Sequence, residues 1–173
     1  MVYAGLLGVA QGIHKLCIQL DYADLELHIY GQGAERSDII DFIDKNPDLP
    51  IFFHGELTRL ELLKVLPEYD MAIIPLLNRI YGSVPSKIFE LAMLGLPVVY
   101  FGGGEGENII KENGLGWIAN AGDYSGLNRV INNISLDDLG PDKRQAIRET
   151  AIEKFNFRQQ LNEFIGLLEQ KNQ

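Results

Sequence analysis

Val84-Pro85-Ser86-Lys87-Ile88-Phe89-Glu90-Leu91-Ala92-Met93-Leu94-Gly95-Leu96-Pro97-Val98-Val99-Tyr100-Phe101 decides the fold class. Pro85 suits the first turn of a helix, where a missing N–H leaves no bond unmade. Residues 86–94 then read as a helix that is apolar except at Ser86, Lys87 and Glu90. Gly95-Leu96-Pro97 turns the chain tightly. Residues 97–101 follow as a continuous apolar run, β-branched and aromatic. A strand without polar alternation is covered on both faces, which is how strands of parallel sheets read.

The same grammar extends in both directions. Strands are expected at residues 2–7, 25–30, 51–54, 71–74, 97–101 and 115–118. Helices are expected near 11–20, 34–44, 59–66, 86–94 and 107–112, then 124–134, 143–153 and 158–169. Thr58 is a fitting N-cap, and Asn46-Pro47 stops the helix before it. Leu60, Leu62, Leu63 and Leu66 offer one helical face for packing. Cys17 falls between Leu16 and Leu20 as a small buried hydrophobe. Strict alternation of strand and helix implies an α/β fold: a Rossmann-like open parallel six-stranded sheet, helices on both faces, and a C-terminal helical appendix. Ligands of such sheets sit beyond the carboxyl ends of the strands.

Length and composition bound the function. The 173 residues suit one domain, with 46% hydrophobic and 23% charged residues. Fifteen basic against 24 acidic residues give a net charge of −9, which excludes a broad nucleic-acid surface. The single cysteine forms no internal disulfide. No apolar run reaches the length of a membrane span.

Several loops at the expected ligand edge carry candidate residues. Gly8 brings backbone near a ligand phosphate or simply makes a strand-to-helix turn. Gly31-Gln32-Gly33 allows a close turn after the second strand. That strand ends Ile29-Tyr30 with no acid to grip a ribose, which argues against a nicotinamide protein. Ser86 and Lys87 lie at a helix start, where N–H groups, a hydroxyl and a cation together attract an anion, or Lys87 is simply solvated. Arg79 is near enough in sequence to join them. Glu90, one turn on, is either solvated or accepts hydrogen bonds from sugar hydroxyls. Residues 102–108, rich in glycine, wrap a ligand, act as a hinge or form a simple linker loop. His14, His28 and His54 make no metal pattern; His28 reads as structural and His14 as the better ligand contact. No nucleophile elbow is present.

The stretch 84–99 resembles the donor-binding domain of retaining family 4 glycosyltransferases of the two-domain GT-B architecture. The likeness is strongest to the branch that makes lipopolysaccharide, capsule and other surface glycans, including N-acetyl-fucosaminyl transferases. It extends over residues 2–12, over His28-Ile29-Tyr30-Gly31-Gln32-Gly33-Ala34-Glu35, and over Phe53-His54-Gly55-Glu56-Leu57. Residues 70–76 and Phe155-Asn156-Phe157 also fit. The resemblance implies that Ser86 and Lys87 hold the donor diphosphate and Glu90 its ribose. Gly8, Gly31, Gly33, His54 and Gly55 would border the nucleotide. Lys87 and Glu90 are the implied catalytic pair. The family's first glutamate falls on Gly82, a departure, and a second basic residue after the first-loop glycine is missing; Lys15 lies too far along.

The resemblance also sets the wider expectations. Residues 1–173 would be the second half of a GT-B enzyme, with the acceptor-binding domain absent and no sugar transferred by this half alone. The substrate would be a nucleotide-diphosphate sugar, UDP-linked, with no metal or other cofactor. The acceptor would be a glycan or polyprenyl-linked lipid, any membrane contact would run through the absent domain, and the site of action would be cytoplasmic. Two other classes fit the residues: an epimerase-like or phosphorylase-like nucleotide-sugar domain, and a noncatalytic nucleotide-binding module.

Overall fold

A computed structural model describes residues 1–78, 82 and 84–155. Six parallel strands form one sheet in the order β3-β2-β1-β4-β5-β6. They are β1 (Val2–Ala4), β2 (Leu27–Tyr30), β3 (Ile51–Gly55), β4 (Ala72–Pro75), β5 (Val98–Gly102) and β6 (Gly116–Asn120). Seven α-helices are present among the described residues: α1 (Ile13–Gln19), α2 (Arg36–Lys45), α3 (Arg59–Val65), α4 (Lys87–Met93), α5 (Glu105–Glu112), α6 (Tyr124–Asn132) and α7 (Pro141–Lys154). The fold class expected from the sequence is the one observed. The expected helix over 158–169 lies outside the described residues.

The sheet divides two apolar layers. Tyr3, Leu27, Ile29, Ile73, Val99 and Phe101 pack with α1, α2 and α6 on one face. Val2, Tyr30, Ala72, Ile74, Val98 and Tyr100 pack with α4, α5 and α7 on the other. Alternate residues of each strand therefore feed opposite cores, which is why β4 and β5 are buried throughout. Cys17 is buried in the first layer, where desolvation pushes its thiol up to about 12. Arg144 of α7 donates to the carbonyls of Tyr69 and Pro67 at 3.1 and 2.7 Å, fastening the appendix to the turn before β4.

Four local expectations are corrected. Strand β1 ends at Ala4, not residue 7, so Gly5 opens the following loop and is not a strand residue. The leucine face of 59–66 is only half used: Leu66, just past α3, is buried and Leu62 partly so, but Leu60 is 73% and Leu63 40% exposed. A seven-residue helix meets the sheet along too short a line to bury every leucine. The glycine run 102–108 is no long loop, since Gly102 ends β5, α5 starts at Glu105, and Gly106 is buried against Tyr100. Helix α5 thus begins two residues before its expected start.

Candidate functional site

The strand order reverses direction between β1 and β4, which opens a crevice at their carboxyl ends. The loop after β1 is its floor. Gly5 N–H donates to the Tyr30 carbonyl, Leu7 N–H to that of Gln32, and Glu35 N–H to that of Leu7. The Tyr3 hydroxyl donates to the Leu6 carbonyl at 2.6 Å. This lacing demands close approach. A Cβ on Gly31, at φ +144°, would stand 1.8 Å from the Gly5 carbonyl oxygen, and one on Gly33 2.5 Å from that of Leu7. The Gly31 N–H also reaches the Gly55 carbonyl at 2.7 Å, so three successive loops are joined. Gly8 makes the turn: its carbonyl accepts from Gln11 and Gly12.

The N-terminus of α1 already holds an anionic group. Glu35 Oε2 accepts from the Ile13 and His14 amides at 2.7 and 3.3 Å. In sequence Glu35 only ends the stretch 28–35; that it serves another helix depends on the loop lacing. The His14 ring lies edge-on to Phe42, with centroids 6.1 Å apart.

Lys87 crosses over Gly5. A Cβ on Gly5 would meet the Lys87 Cε at 2.8 Å and its Nζ at 3.3 Å, so a side chain there would push the lysine aside. Desolvation draws the Lys87 pKa below its ordinary value, with Glu90 partly offsetting this. Among the described residues no hydrogen bond or ion pair holds the ammonium. Ser86 precedes it with αR backbone and caps nothing with its hydroxyl. Glu90, on the same helix, is half exposed and faces Arg59 Nη2 at 3.4 Å. Arg59, which begins α3, was not anticipated from sequence, because nothing local links it to α4. Arg79 lies outside the described residues.

Beside this cation is a cleft of about 250 Å³ lined by Gly5, Leu6, Tyr30, Gly31, Glu56 and Leu57, among others. His54 is not on its wall. Its ring stacks on Tyr30 at 4.5 Å, and Tyr30 faces the cleft. His54 Nε2 lies 3.0 Å from His28 Nδ1, and burial, then the neighbouring His28, lowers its pKa. The strand period places these groups on one face of β2 and β3, so Tyr30, not His54, is the aromatic surface offered to a ligand. His28 is structural as read: it also stacks on Phe52 at 4.8 Å.

Gly82 N–H donates to Glu105 Oε1 at 3.1 Å, tying the loop before α4 to the first turn of α5. A larger cavity, about 660 Å³, opens at the opposite, amino end of the strands. Asp24, Glu26, Glu68 and Asp70 line it, and four carboxylates repel a diphosphate. The carboxyl edge is therefore the better candidate. Among the described residues no group of three metal-ligating side chains occurs, and no helix is long and apolar enough to cross a membrane.

A family model described as "Glycosyl transferases group 1" matches residues 3–137. No curated protein sequence matches. Among solved structures, TarM of S. aureus, crystallised with fondaparinux, α-GlcNAc-glycerol and UDP, is similar with a TM-score of 0.71 and 21% identity, over 96% of this chain and 34% of that one. Anabaena HepE, crystallised with UDP-glucose, gives 0.73 and 17%, over 95% and 48%. Sucrose-phosphate synthase from Thermosynechococcus elongatus gives 0.67 and 20%, over 94% and 45%. The chain thus spans between a third and a half of the structures it matches, and at these identities the likeness is one of fold.

Proposed function

The chain belongs to the group 1 glycosyl transferases, and from that premise we propose that it is the domain that binds the nucleotide-sugar donor. The observation that carries this is Lys87: a half-buried ammonium, unpaired among the described residues, laid over Gly5 at the carboxyl edge of the sheet. An anion placed there recovers the lysine's lost solvation. In this reading Lys87 and the Ser86 hydroxyl take the diphosphate. The cleft between Tyr30 and Leu57, walled also by Gly31, takes the nucleoside, and Gly8, Gly33 and Gly55 are proposed to border the nucleotide from the neighbouring loops. His54 supports Tyr30 from behind. Glu90 accepts the ribose hydroxyls, releasing Arg59.

The chemistry follows from charge. When the glycosidic bond to the donor breaks, negative charge collects on the β-phosphate. A fixed cation in a partly desolvated site stabilises that charge more than water does. The nucleotide is proposed to be UDP, as in the complexes of TarM and HepE. Retention of configuration, a surface-glycan or polyprenyl-linked acceptor, action at the cytoplasmic face and independence of metal are further parts of the proposal. So is the acceptor site on a second domain, and hence no transfer by these 173 residues alone.

Titration with UDP, GDP and ADP tests the reading. The expected result is saturable binding of one of them, weakened by Lys87→Met and by Glu90→Gln. A folded chain that binds none of the three sinks it.

A further inference from the structure

Glu35, the residue before α2, grips the loop after β1 at both of its ends. Its backbone N–H donates to the Leu7 carbonyl at 2.9 Å. Its side-chain Oε2 accepts from the Ile13 and His14 amides at 2.7 and 3.3 Å. Leu7 and Ile13 bracket Gly8, Val9, Ala10, Gln11 and Gly12, so one residue closes the whole loop from outside. Within the loop the Gly8 carbonyl takes the Gln11 and Gly12 amides. Those bonds curl the loop, but they do not fix where it stands over the sheet.

The position of this loop matters because of what it touches. The Ala10 carbonyl accepts the Leu77 N–H at 3.0 Å, just past β4. Gly12, at φ +61°, gives the space of its missing Cβ to the Leu77 side chain. Gly5, two residues before Leu7, lies under the Lys87 Cε, and Gly5 and Leu6 line the nucleoside cleft. The first amides of a helix have no partner within it, and α1 carries no side-chain cap of its own. A carboxylate suits that positive end, and its bonds to the N–H groups are charge-assisted. Glu35 therefore supplies from another loop the cap that α1 lacks, and the β1–α1 loop is drawn tight between the two. A loop held in its bound shape before the ligand arrives loses less freedom on binding.

We infer that Glu35 is a positioning residue: it holds the β1–α1 loop in the shape that receives the nucleotide, without touching the nucleotide itself. This rests on the proposed donor-binding function. The test is calorimetric titration of the full chain with whichever of UDP, GDP and ADP wild type binds most tightly, with urea unfolding alongside. Three variants separate reach from charge. Glu35→Ala removes the side-chain grip, Glu35→Asp keeps the charge but is one methylene too short for the amides, and Glu35→Gln keeps an acceptor oxygen at full length. The expected result is that Glu35→Ala and Glu35→Asp bind about tenfold more weakly, while Glu35→Gln stays within about threefold of wild type. Should Glu35→Ala fail to fold, the comparison of Glu35→Asp with Glu35→Gln gives the same answer. If Glu35→Ala and Glu35→Asp lower the urea midpoint but keep the affinity of the folded protein, Glu35 only stabilises the fold and the inference falls. It falls if Glu35→Ala binds more tightly, because the carboxylate then competes with the ligand's phosphate for the α1 amides. It falls also if Glu35→Asp matches wild type while Glu35→Gln loses binding, since charge and not reach is then what counts. Failure of wild type to bind any of the three nucleotides is a different result, and it removes the donor-binding reading together with this inference.

Discussion

Lys87 shows how one side chain depends on the absence of another. Its Cε occupies the space that a Cβ on Gly5 would need. Gly5→Ala is expected to displace the lysine and weaken UDP binding, with Lys87→Met weakening it by tenfold or more, the usual worth of a charge-assisted contact; calorimetry reads both. The pH dependence carries a sign. Burial lowers the Lys87 pKa, so the free protein holds that proton less tightly than the unfolded chain and gains stability as pH rises toward 10.5. Diphosphate binding needs the charged form, so affinity falls on the alkaline side below 10.5, a limb that Lys87→Met lacks. The placing of Ser86, Lys87 and Glu90 at the start of α4 was legible in sequence because Pro85 fixes where the helix starts, and helix spacing then sets their order. The Gly5 contact was not legible: it joins the loop after β1 to the helix after β4, and it depends on β1 and β4 being neighbours, an order not written in any local pattern.

At the scale of elements, α3 is held more by its cap than by its core. The Thr58 hydroxyl accepts from the Glu61 amide, and the Glu61 carboxylate accepts from the Thr58 N–H at 2.8 Å. With Leu60 and Leu63 turned to solvent, little packing replaces a lost cap. Thr58→Ala is expected to cost about 1 kcal/mol in urea unfolding and to loosen Arg59, the next residue. The cap was legible from Thr58 followed at N3 by Glu61; the wasted leucines were not, because a seven-residue helix shows its pattern before it shows what it meets. The β2–β3 pair carries a second device. One proton is shared along the His28 Nδ1–His54 Nε2 contact, and protonating both atoms breaks it. His54's pKa is lowered, so acidification below 6.5 charges the unfolded chain first and stability falls as pH drops. His54→Gln is expected to flatten that acid limb in urea midpoints taken between pH 7 and pH 5.

For the whole molecule, the two ends of the sheet differ in what they offer an anion. The carboxyl end offers Lys87 and a cleft beside Tyr30; the amino end offers Asp24, Glu26, Glu68 and Asp70 around a larger cavity. Volume favours the amino end, and charge favours the carboxyl end for an anionic ligand. Alternation of strands and helices made the fold class legible. It left open which end of the sheet carries the roomier cavity, because that depends on how loops from β1, β2 and β3 lace together. Ligand binding makes the distinction measurable across the entire domain. A ligand that binds only the folded state at a hundred times its Kd adds about 2.7 kcal/mol of stability. For a domain of this size that raises the unfolding midpoint by roughly 5–10 °C. UDP is expected to give a shift of that order with wild type and with Asp70→Asn, and to lose most of it with Lys87→Met at the same concentration. The reverse pattern, with Asp70→Asn abolishing the shift and Lys87→Met leaving it intact, would place the nucleotide at the acidic end and overturn the charge argument.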